Sequence, residues 1–282
     1  MTDVMVGFDA SPASMDAARW AAGWASKHGR GVALVAVLDL SGPWSIAHEA
    51  LRDQFRADAD QVISELAAAF PGVPFRSEIR QGKAVPGLRA AAAESDLMVV
   101  GNTGRGALEA LLTGNVAREV AASTPGVTVV VVPKGVTAFS PDGPVVLGID
   151  ETAESAVSAR FAFDAAGTLG VPLRAVHVRE VLVASSGEGL SDPAADAARA
   201  LEVVTALERD HPGVAVSYEP ITTYVGRLSW SGRVAESLAE QATDACLVVV
   251  GTRGAGALSA LVFGSIGRDL AAKSPCAVAI VG

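Results

Sequence analysis

The sequence predicts an α/β protein made of two tandem domains, each with a parallel sheet covered by helices on both faces. Short apolar runs alternate with amphipathic segments along the chain, and this alternation occurs twice. Residues 97–125 and 247–275, which lie 150 positions apart, match at 15 of 29 positions without a gap. A match of this length indicates a duplicated module.

In the first half, short continuous apolar runs predict buried strands of a parallel sheet. The predicted strands are 4–8, 32–38, 75–79, 97–100 and 127–132. Segments with a 3.6-residue period predict helices near 12–28, 45–69, 84–94 and 115–123. Because strands alternate with helices, right-handed β-α-β crossovers are expected.

The second half repeats this order. The predicted strands are 145–149, 173–181, 214–218, 247–250 and 277–281, and the helices lie near 153–168, 192–210, 233–243 and 265–273. A linker rich in proline and glycine covers 133–144, so the predicted domains are 1–138 and 144–282. The second half is about nine residues longer, and we expect the extra residues around 222–231 and 185–189.

Composition excludes several classes of protein. The net charge is −9, with 12 basic and 14 acidic residues in 1–138, and no basic stripe for nucleic acid or anionic membranes. No apolar run reaches the length of about 18 residues that a membrane span needs. The N-terminus lacks a basic leader region, which predicts a cytoplasmic protein. The two cysteines, Cys246 and Cys276, are expected to be buried and inert, with a redox pair as the alternative.

No residue is predicted to be catalytic or to bind a metal through a histidine or cysteine cluster. The chain has no G-x4-G-K-[ST] loop and no G-x-S-x-G elbow, and its four histidines show no metal spacing. His177, in a predicted strand, is expected to be a core histidine rather than a catalytic one.

The duplicated segment is a glycine loop between a strand and a helix. Both copies have the pattern G-x2-G-x9-G, with Asn115 or Ser265 as candidate N-caps after it. Glycine lets backbone approach a ligand closely, and a helix N-terminus offers unpaired N–H groups. Three glycines at the same spacing in both halves favour phosphate binding over simple turns.

Asp9 and Asp150 follow the first predicted strand of each half. In an open α/β sheet, ligands bind beyond the carboxyl ends of the strands where the strand order reverses. A carboxylate there suits a ribose hydroxyl or a magnesium ion. The alternative is that these aspartates cap the following helix.

Together these residues resemble the universal stress protein family, in the tandem form of its ATP-binding branch. The resemblance implies two Rossmann-like domains with strand order 3-2-1-4-5 and one ATP in each, with Mg²⁺ as a candidate companion ion. Asp9 and Asp150 would contact ribose or metal, while Val37 and Val178 would meet adenine. The implied phosphate contacts are Gly101, Gly104, Gly114, Asn115 and Val116 in the first half, and Gly251, Arg253, Gly254, Gly264, Ser265 and Ile266 in the second.

Two departures from the family pattern affect the expected affinities. Asn115 stands where the family motif has Ser or Thr, so the second site is expected to be tighter. Glu151 follows Asp150 where glycine is more usual, which adds negative charge near the expected phosphates.

The resemblance implies a nucleotide-dependent regulator of the stress response rather than an enzyme. A slow ATPase and an interaction module with empty sites are the alternatives. The last strands of the halves, 127–132 and 277–281, are apolar and are expected to pair antiparallel as an intrachain pseudo-dimer. Any further homodimer would use another surface, and no protein partner is identified.

Overall fold

A computed structural model describes residues 2–39, 45–102, 124, 126–182, 193–225, 233–252 and 269–282. The chain divides into two compact units, Met1–Ser140 and Pro141–Gly282. In each unit, a helix follows each of the first three strands, as the sequence predicts. The α/β fold class is therefore confirmed.

The first unit contains a five-stranded parallel sheet within the residues described. Its strands are β1 (Val4–Gly7), β2 (Val32–Leu38), β3 (Phe75–Gln81), β4 (Leu97–Gly101) and β5 (Thr128–Val132). Its described helices are α1 (Pro12–His28), α2 (Ser45–Ala69) and α3 (Ala84–Ala92). The strands lie in the order β3-β2-β1-β4-β5, and each neighbouring pair is parallel. The predicted 3-2-1-4-5 order is confirmed in this unit.

The second unit repeats the arrangement. Its strands are β6 (Val145–Gly148), β7 (Leu173–Leu182), β8 (Val216–Val225), β9 (Leu247–Gly251) and β10 (Ala277–Val281). Its described helices are α4 (Ser155–Leu169), α5 (Pro193–Asp210) and α6 (Arg233–Gln241), and residues 269–273 are also helical. The order β8-β7-β6-β9-β10, with parallel pairs throughout, reproduces 3-2-1-4-5.

The first helix of each unit ends in the same way. Gly29 follows α1 with φ 61°, and Gly170 follows α4 with φ 69°. Each N–H donates back to a carbonyl of the last turn, and glycine adopts this left-handed conformation without a Cβ penalty. Ser11 caps the start of α1 by accepting a hydrogen bond from the Ser14 N–H at 3.2 Å.

Aromatic side chains hold the segment after β5 against α1. Trp20 and Trp24 stack with ring centroids 5.4 Å apart, and Phe139 meets both rings edge-on. Gly23 lies under Phe139, where a Cβ would come within 2.6 Å of the Phe139 Cβ. Residues up to Ser140 therefore belong to the first unit.

The outer strand of the first sheet is charged. Arg80 pairs with Glu78 at 2.6 Å, and Arg76 pairs with Asp3 at 2.7 Å. By contrast, the middle strand β1 is buried along its whole length, because both faces of a parallel sheet are covered. Charges on an outer strand oppose unwanted pairing with other chains.

Strand β8 differs most from its prediction, which ended it at Tyr218. It continues through Pro220 to Val225 and pairs with β7 over ten residues, whereas β2 and β3 pair over seven. Proline is tolerated there because β8 is the outer strand of its sheet, so the absence of its N–H removes no hydrogen bond between strands. Three of the extra residues of the second half thus lengthen this strand.

The cysteine prediction can be compared directly with the structure. Cys246 and Cys276 are both buried, next to the first residues of β9 and β10. Burial raises the pKa of Cys246 to about 12 and that of Cys276 to about 11. Thiols with such values hold little thiolate at neutral pH, which favours the inert alternative.

Within the described part of the chain, no helix combines the length and apolar character needed to cross a membrane.

Candidate functional site

The candidate site lies at the carboxyl end of the central strand of each sheet. In the first unit β1 lies between β2 and β4, and in the second unit β6 lies between β7 and β9. From β1 the chain continues to β2 on one side of the sheet, whereas from β4 it continues to β5 on the other side, and the second unit repeats this with β6 and β9. A crevice is expected between the carboxyl ends of two such neighbouring strands. Asp9 and Asp150 follow these two central strands.

Asp9 organises the turn from β1 into α1. Its Oδ1 accepts a hydrogen bond from the Ser11 N–H at 3.0 Å, and its own N–H donates to the Ser14 Oγ at 3.3 Å. Ser14 Oγ in turn donates to the Ser11 carbonyl at 3.0 Å. The aspartate therefore forms an Asx turn, while Ser11 caps the helix.

Asp150 forms the same turn in the second unit. Its Oδ1 accepts from the Thr152 N–H at 3.0 Å and from the Thr152 hydroxyl at 2.5 Å. Ser155 accepts from the Asp150 N–H at 3.3 Å, and its hydroxyl also contacts Oδ1. The backbone contacts of the two aspartates are the same in both halves, and Asp150 also accepts from the Thr152 and Ser155 hydroxyls. Neither aspartate is itself the cap that the alternative from the sequence supposed, since the N-cap residues are Ser11 and Glu154; each carboxylate instead holds the turn that precedes the helix.

Ala10, between Asp9 and Ser11, is the non-glycine residue with a left-handed φ, 58°, among the described residues. This conformation costs an L-residue about 1 kcal/mol or more. Strain of this kind is held where the surrounding contacts fix the backbone, and the Asx turn supplies those contacts here.

Gly101 and Gly251 end the fourth strands, as predicted. A Cβ on Gly101 would lie 2.5 Å from the Ala13 carbonyl oxygen in the first turn of α1. Glycine is therefore needed at this position for packing, whatever ligand is present. This requirement was not foreseen from the sequence.

A cavity of about 290 Å³ opens beside Asp9 in the first unit. This is near the lower end of the range for small-molecule sites, about 300–1,000 Å³. Val37, the predicted adenine contact, lines it, and Gly87 of α3 packs closely against the Val37 side chain. The complete lining is Gly7, Phe8, Asp9, Ala10, Val35, Val37, Leu38, Leu51, Gln54, Phe55, Asp58, Ala84 and Leu88.

One wall of this cavity was not predicted. It consists of Leu51, Gln54, Phe55 and Asp58, which all lie on α2. Their spacing of i, i+3, i+4 and i+7 is the signature of one helix face, so the sequence carried a usable signal. What the sequence did not supply was the position of that face over the ends of β1 and β2.

In the second unit, Val178 lies on β7 opposite Ile221 of β8. His177, before it, is 3% exposed, and its Nε2 lies 3.6 Å from the Glu151 Oε2. Glu151 therefore lies beside a buried imidazole while part of its side chain stays exposed. The prediction of a core histidine agrees with this burial.

The remaining predicted contacts lie outside the described residues. These are Gly104, Gly114, Asn115, Val116, Arg253, Gly254, Gly264, Ser265 and Ile266. In the described residues, no group of three His, Cys, Asp or Glu side chains is arranged to hold a metal ion.

A family model described as "Universal stress protein family" matches this chain twice, over residues 1–133 and 143–282. The chain belongs to the universal stress protein family. The two matches give it the tandem form of that family, with one family domain in each half.

Relatives of similar length support the assignment to the universal stress protein family. A universal stress protein of Mycolicibacterium smegmatis is 30% identical, over 99% of this chain and 96% of its own length. A universal stress protein of Mycobacterium tuberculosis, strain H37Rv, is 29% identical, over 98% of this chain and 96% of its own. The match therefore extends over both halves.

Solved structures support the fold. A universal stress protein from Archaeoglobus fulgidus aligns with a TM-score of 0.71 at 17% identity, over 99% of this chain and 95% of that one. A universal stress protein from Pseudomonas aeruginosa aligns at 0.56 and 13% identity, over 100% and 93%. At these identities the likeness concerns the fold of the universal stress protein family alone.

Proposed function

We propose that this universal stress protein binds two ATP molecules, one in each half, and acts as a cytoplasmic, nucleotide-dependent regulator of the stress response. The observation that carries the proposal is the cavity of about 290 Å³ at the carboxyl ends of β1 and β2, with Asp9 at its edge. Ligands of open α/β sheets bind at this kind of position.

The cavity has the chemistry that a nucleoside requires. Its interior is mostly apolar, with Val35, Val37, Phe55 and Leu88 available to contact the faces of a base. Asp9 lies at the end of β1, where a carboxylate suits the hydroxyls of a ribose. The glycine loops that begin at Gly101 and Gly251 would hold the phosphates, with the N-termini of the following helices.

A magnesium ion would accompany the nucleotide rather than occupy a site made by the protein alone. The described residues contain no ready-made cluster of three ligands, so ATP phosphates would supply part of the coordination shell. Asp9 or Asp150 would then contribute a single carboxylate.

Regulation would follow from the loops after β4 and β9. Bound phosphates would fix the conformation of these loops and so change the surface presented to a protein partner. The energy available for such a change is limited to the difference in ATP affinity between the two loop conformations.

Calorimetry with MgATP tests this proposal on wild type, Asp9→Asn, Asp150→Asn and the double variant. Asparagine keeps an Oδ1 that accepts the turn hydrogen bonds but removes the charge, so the fold should be retained. We expect each single variant to weaken one site by about tenfold or more, because a hydrogen bond to a charged group is lost. An absence of ATP binding to wild type would show that the proposal is wrong.

A further inference from the structure

The two units are built on matching positions whose side chains differ in kind. From the first strand to the third, residues of the second unit follow those of the first by 141 positions. Val4, Val32 and Phe75 are paired across the first sheet, and Val145, Leu173 and Val216 are paired across the second. Asp9 and Asp150 match at the same offset.

In the first unit, Phe55 and Leu38 form the apolar part of the cleft wall between β2 and α2, beside Gln54 and Asp58. Phe55 meets Phe8 edge-on with ring centroids 5.5 Å apart, and Leu38 lines the same cavity. Phe55 and Leu38 are each 9% exposed. This wall presents an aromatic ring and an aliphatic side chain to whatever enters the cavity.

In the second unit, the same two positions hold opposite charges. Arg179 stands in place of Leu38, and Asp196 stands in place of Phe55. The two side chains form an ion pair, and Arg199 contacts the other carboxylate oxygen of Asp196. Asp196 is 3% exposed, so its carboxylate is held in the interior by these two arginines.

A second polar pair replaces alanines close to the central strand. Glu151 stands where the first unit has Ala10, and His177 stands where it has Ala36. Their side chains lie 3.6 Å apart, with His177 buried. Of these positions, Ala10, Leu38 and Phe55 line the first cavity, so the corresponding wall of the second unit carries Glu151, Arg179 and Asp196.

A nucleobase interacts differently with the two walls. Stacking on an aromatic ring is favourable, whereas covering a buried ion pair with a ring removes its remaining solvation and returns no hydrogen bond to it. Displacing Arg179 or Asp196 to make room would leave a buried charge without its partner.

We propose that the two sites are unequal, and that the first unit binds the adenine base at least tenfold more tightly than the second because Phe55 and Leu38 are replaced by Asp196 and Arg179. This inference rests on the proposed function. It reverses the order that the phosphate loops predict, in which Ser265 makes the second site tighter. Phe55 and Asp196 are then the residues that set base affinity in the two halves.

Photolabelling of the wild-type chain tests the order of the sites without any substitution. The protein is irradiated with 8-azido-ATP at increasing concentrations, and labelled peptides are assigned by mass spectrometry. We expect peptides of the first unit to be labelled at concentrations at least tenfold lower than those of the second. Equal labelling, or earlier labelling of the second unit, would overturn the inference.

Two exchanges of side chains test the residues by calorimetry with MgATP. Phe55→Leu keeps the core apolar and should weaken the tighter site by about tenfold, because base stacking on the ring is lost. The double variant Arg179→Leu with Asp196→Phe should tighten the weaker site by a similar factor. Circular dichroism shows whether each variant is folded.

The outcomes separate this inference from the proposed function. Wild type that binds no nucleotide refutes the function itself. Wild type that binds two ATP molecules with affinities within threefold leaves the function standing and refutes the inequality. A Phe55→Leu variant that is folded and binds like wild type refutes the role of Phe55, and photolabelling decides the order of the sites even if a variant does not fold.

Discussion

The pKa values of two histidines near helix ends are shifted in opposite directions because their surroundings differ. His211 has Nδ1 2.8 Å from the Leu207 carbonyl and Nε2 3.0 Å from the Asp164 carboxylate. The backbone hydrogen bond to Leu207 and then Asp164 raise the pKa of His211. His28 stacks on Trp24 at 4.1 Å, and its burial lowers its pKa.

The raised pKa of His211 predicts stability that is present at low pH and lost at high pH. A His with a raised folded-state pKa stabilises the fold below its unfolded value, near 6.5, and that contribution disappears as pH rises through the folded value. We expect His211→Gln to lower the free energy of unfolding more at pH 5.5 than at pH 8. The difference should be under about 1 kcal/mol, since the Asp164 partner is exposed.

Urea denaturation at the two pH values measures this difference. His28→Gln is the matched comparison, because a lowered pKa gives the opposite sign: wild-type His28 destabilises the fold as pH falls below 6.5. An effect of His211→Gln that is equal at both pH values would contradict the ion pair.

At the scale of the element, glycines inside helices show how packing overrides propensity. Gly23 lies within α1 and Gly167 within α4, and alanine is the better helix former at both positions by about 1 kcal/mol. A Cβ on Gly23 would come within 2.6 Å of the Phe139 Cβ, whereas a Cβ on Gly167 would meet Val214 at an ordinary 3.5 Å.

The two alanine substitutions should therefore change stability in opposite directions. Gly167→Ala should raise Tm by about 2–4 °C, as expected for roughly 1 kcal/mol in a chain of this size. Gly23→Ala should lower Tm, because Phe139 must leave its place against Trp20 and Trp24. Calorimetric melting of both variants measures the shifts, and a Gly23→Ala protein more stable than wild type would contradict the packing of Phe139.

Most elements could be predicted from sequence because their apolar runs or helical periods are long. The bounds of β2, 32–38, match the prediction, whereas β8 runs past its predicted end at Tyr218. The extension through Pro220 depends on β8 being an outer strand, which is a property of the folded sheet. The α2 wall of the cavity was missed for a related reason: periodicity identifies a helix face but not what lies opposite it.

At the scale of the whole molecule, the duplication made the fold predictable and hid the difference between the halves. The glycine loops match at an offset of 150 positions, whereas the cleft residues match at 141. An alignment anchored on the loops therefore does not place Phe55 opposite Asp196. The register of the strands supplies that correspondence.

The assembled clefts should catalyse little chemistry. Asp9 and Asp150 each use Oδ1 to hold a turn, and the sequence has no phosphate-loop lysine of the P-loop type. We expect ATP turnover well below about 1 s⁻¹, the lower end of the usual enzyme range. A phosphate-release assay measures the rate, with Asp150→Asn as the control. Turnover above this value that the substitution removes would identify an enzyme instead.

The last prediction concerns the proposed pairing of the final strands, which the sequence suggests from their apolar character. In β5, the Thr128 N–H donates to Asp96 and the Val132 carbonyl accepts from Asn102, so alternate residues face β4. The backbone groups of Val129 and Val131 therefore point to the opposite side, where a partner strand would bind.

Val131→Pro removes an N–H from that side and leaves the ladder to β4 in place. If β5 pairs there with β10, we expect Tm to fall by about 5 °C or more. The reason is that one interstrand hydrogen bond is lost and the carbonyl that accepted it stays buried without a donor. Val131→Thr, which keeps the N–H and the β-branched shape, is the control for side-chain packing. Pro220 in β8 shows that an outer strand of this chain accommodates proline. A Val131→Pro protein that melts like the threonine control would therefore place β5 at a free edge and refute the pairing.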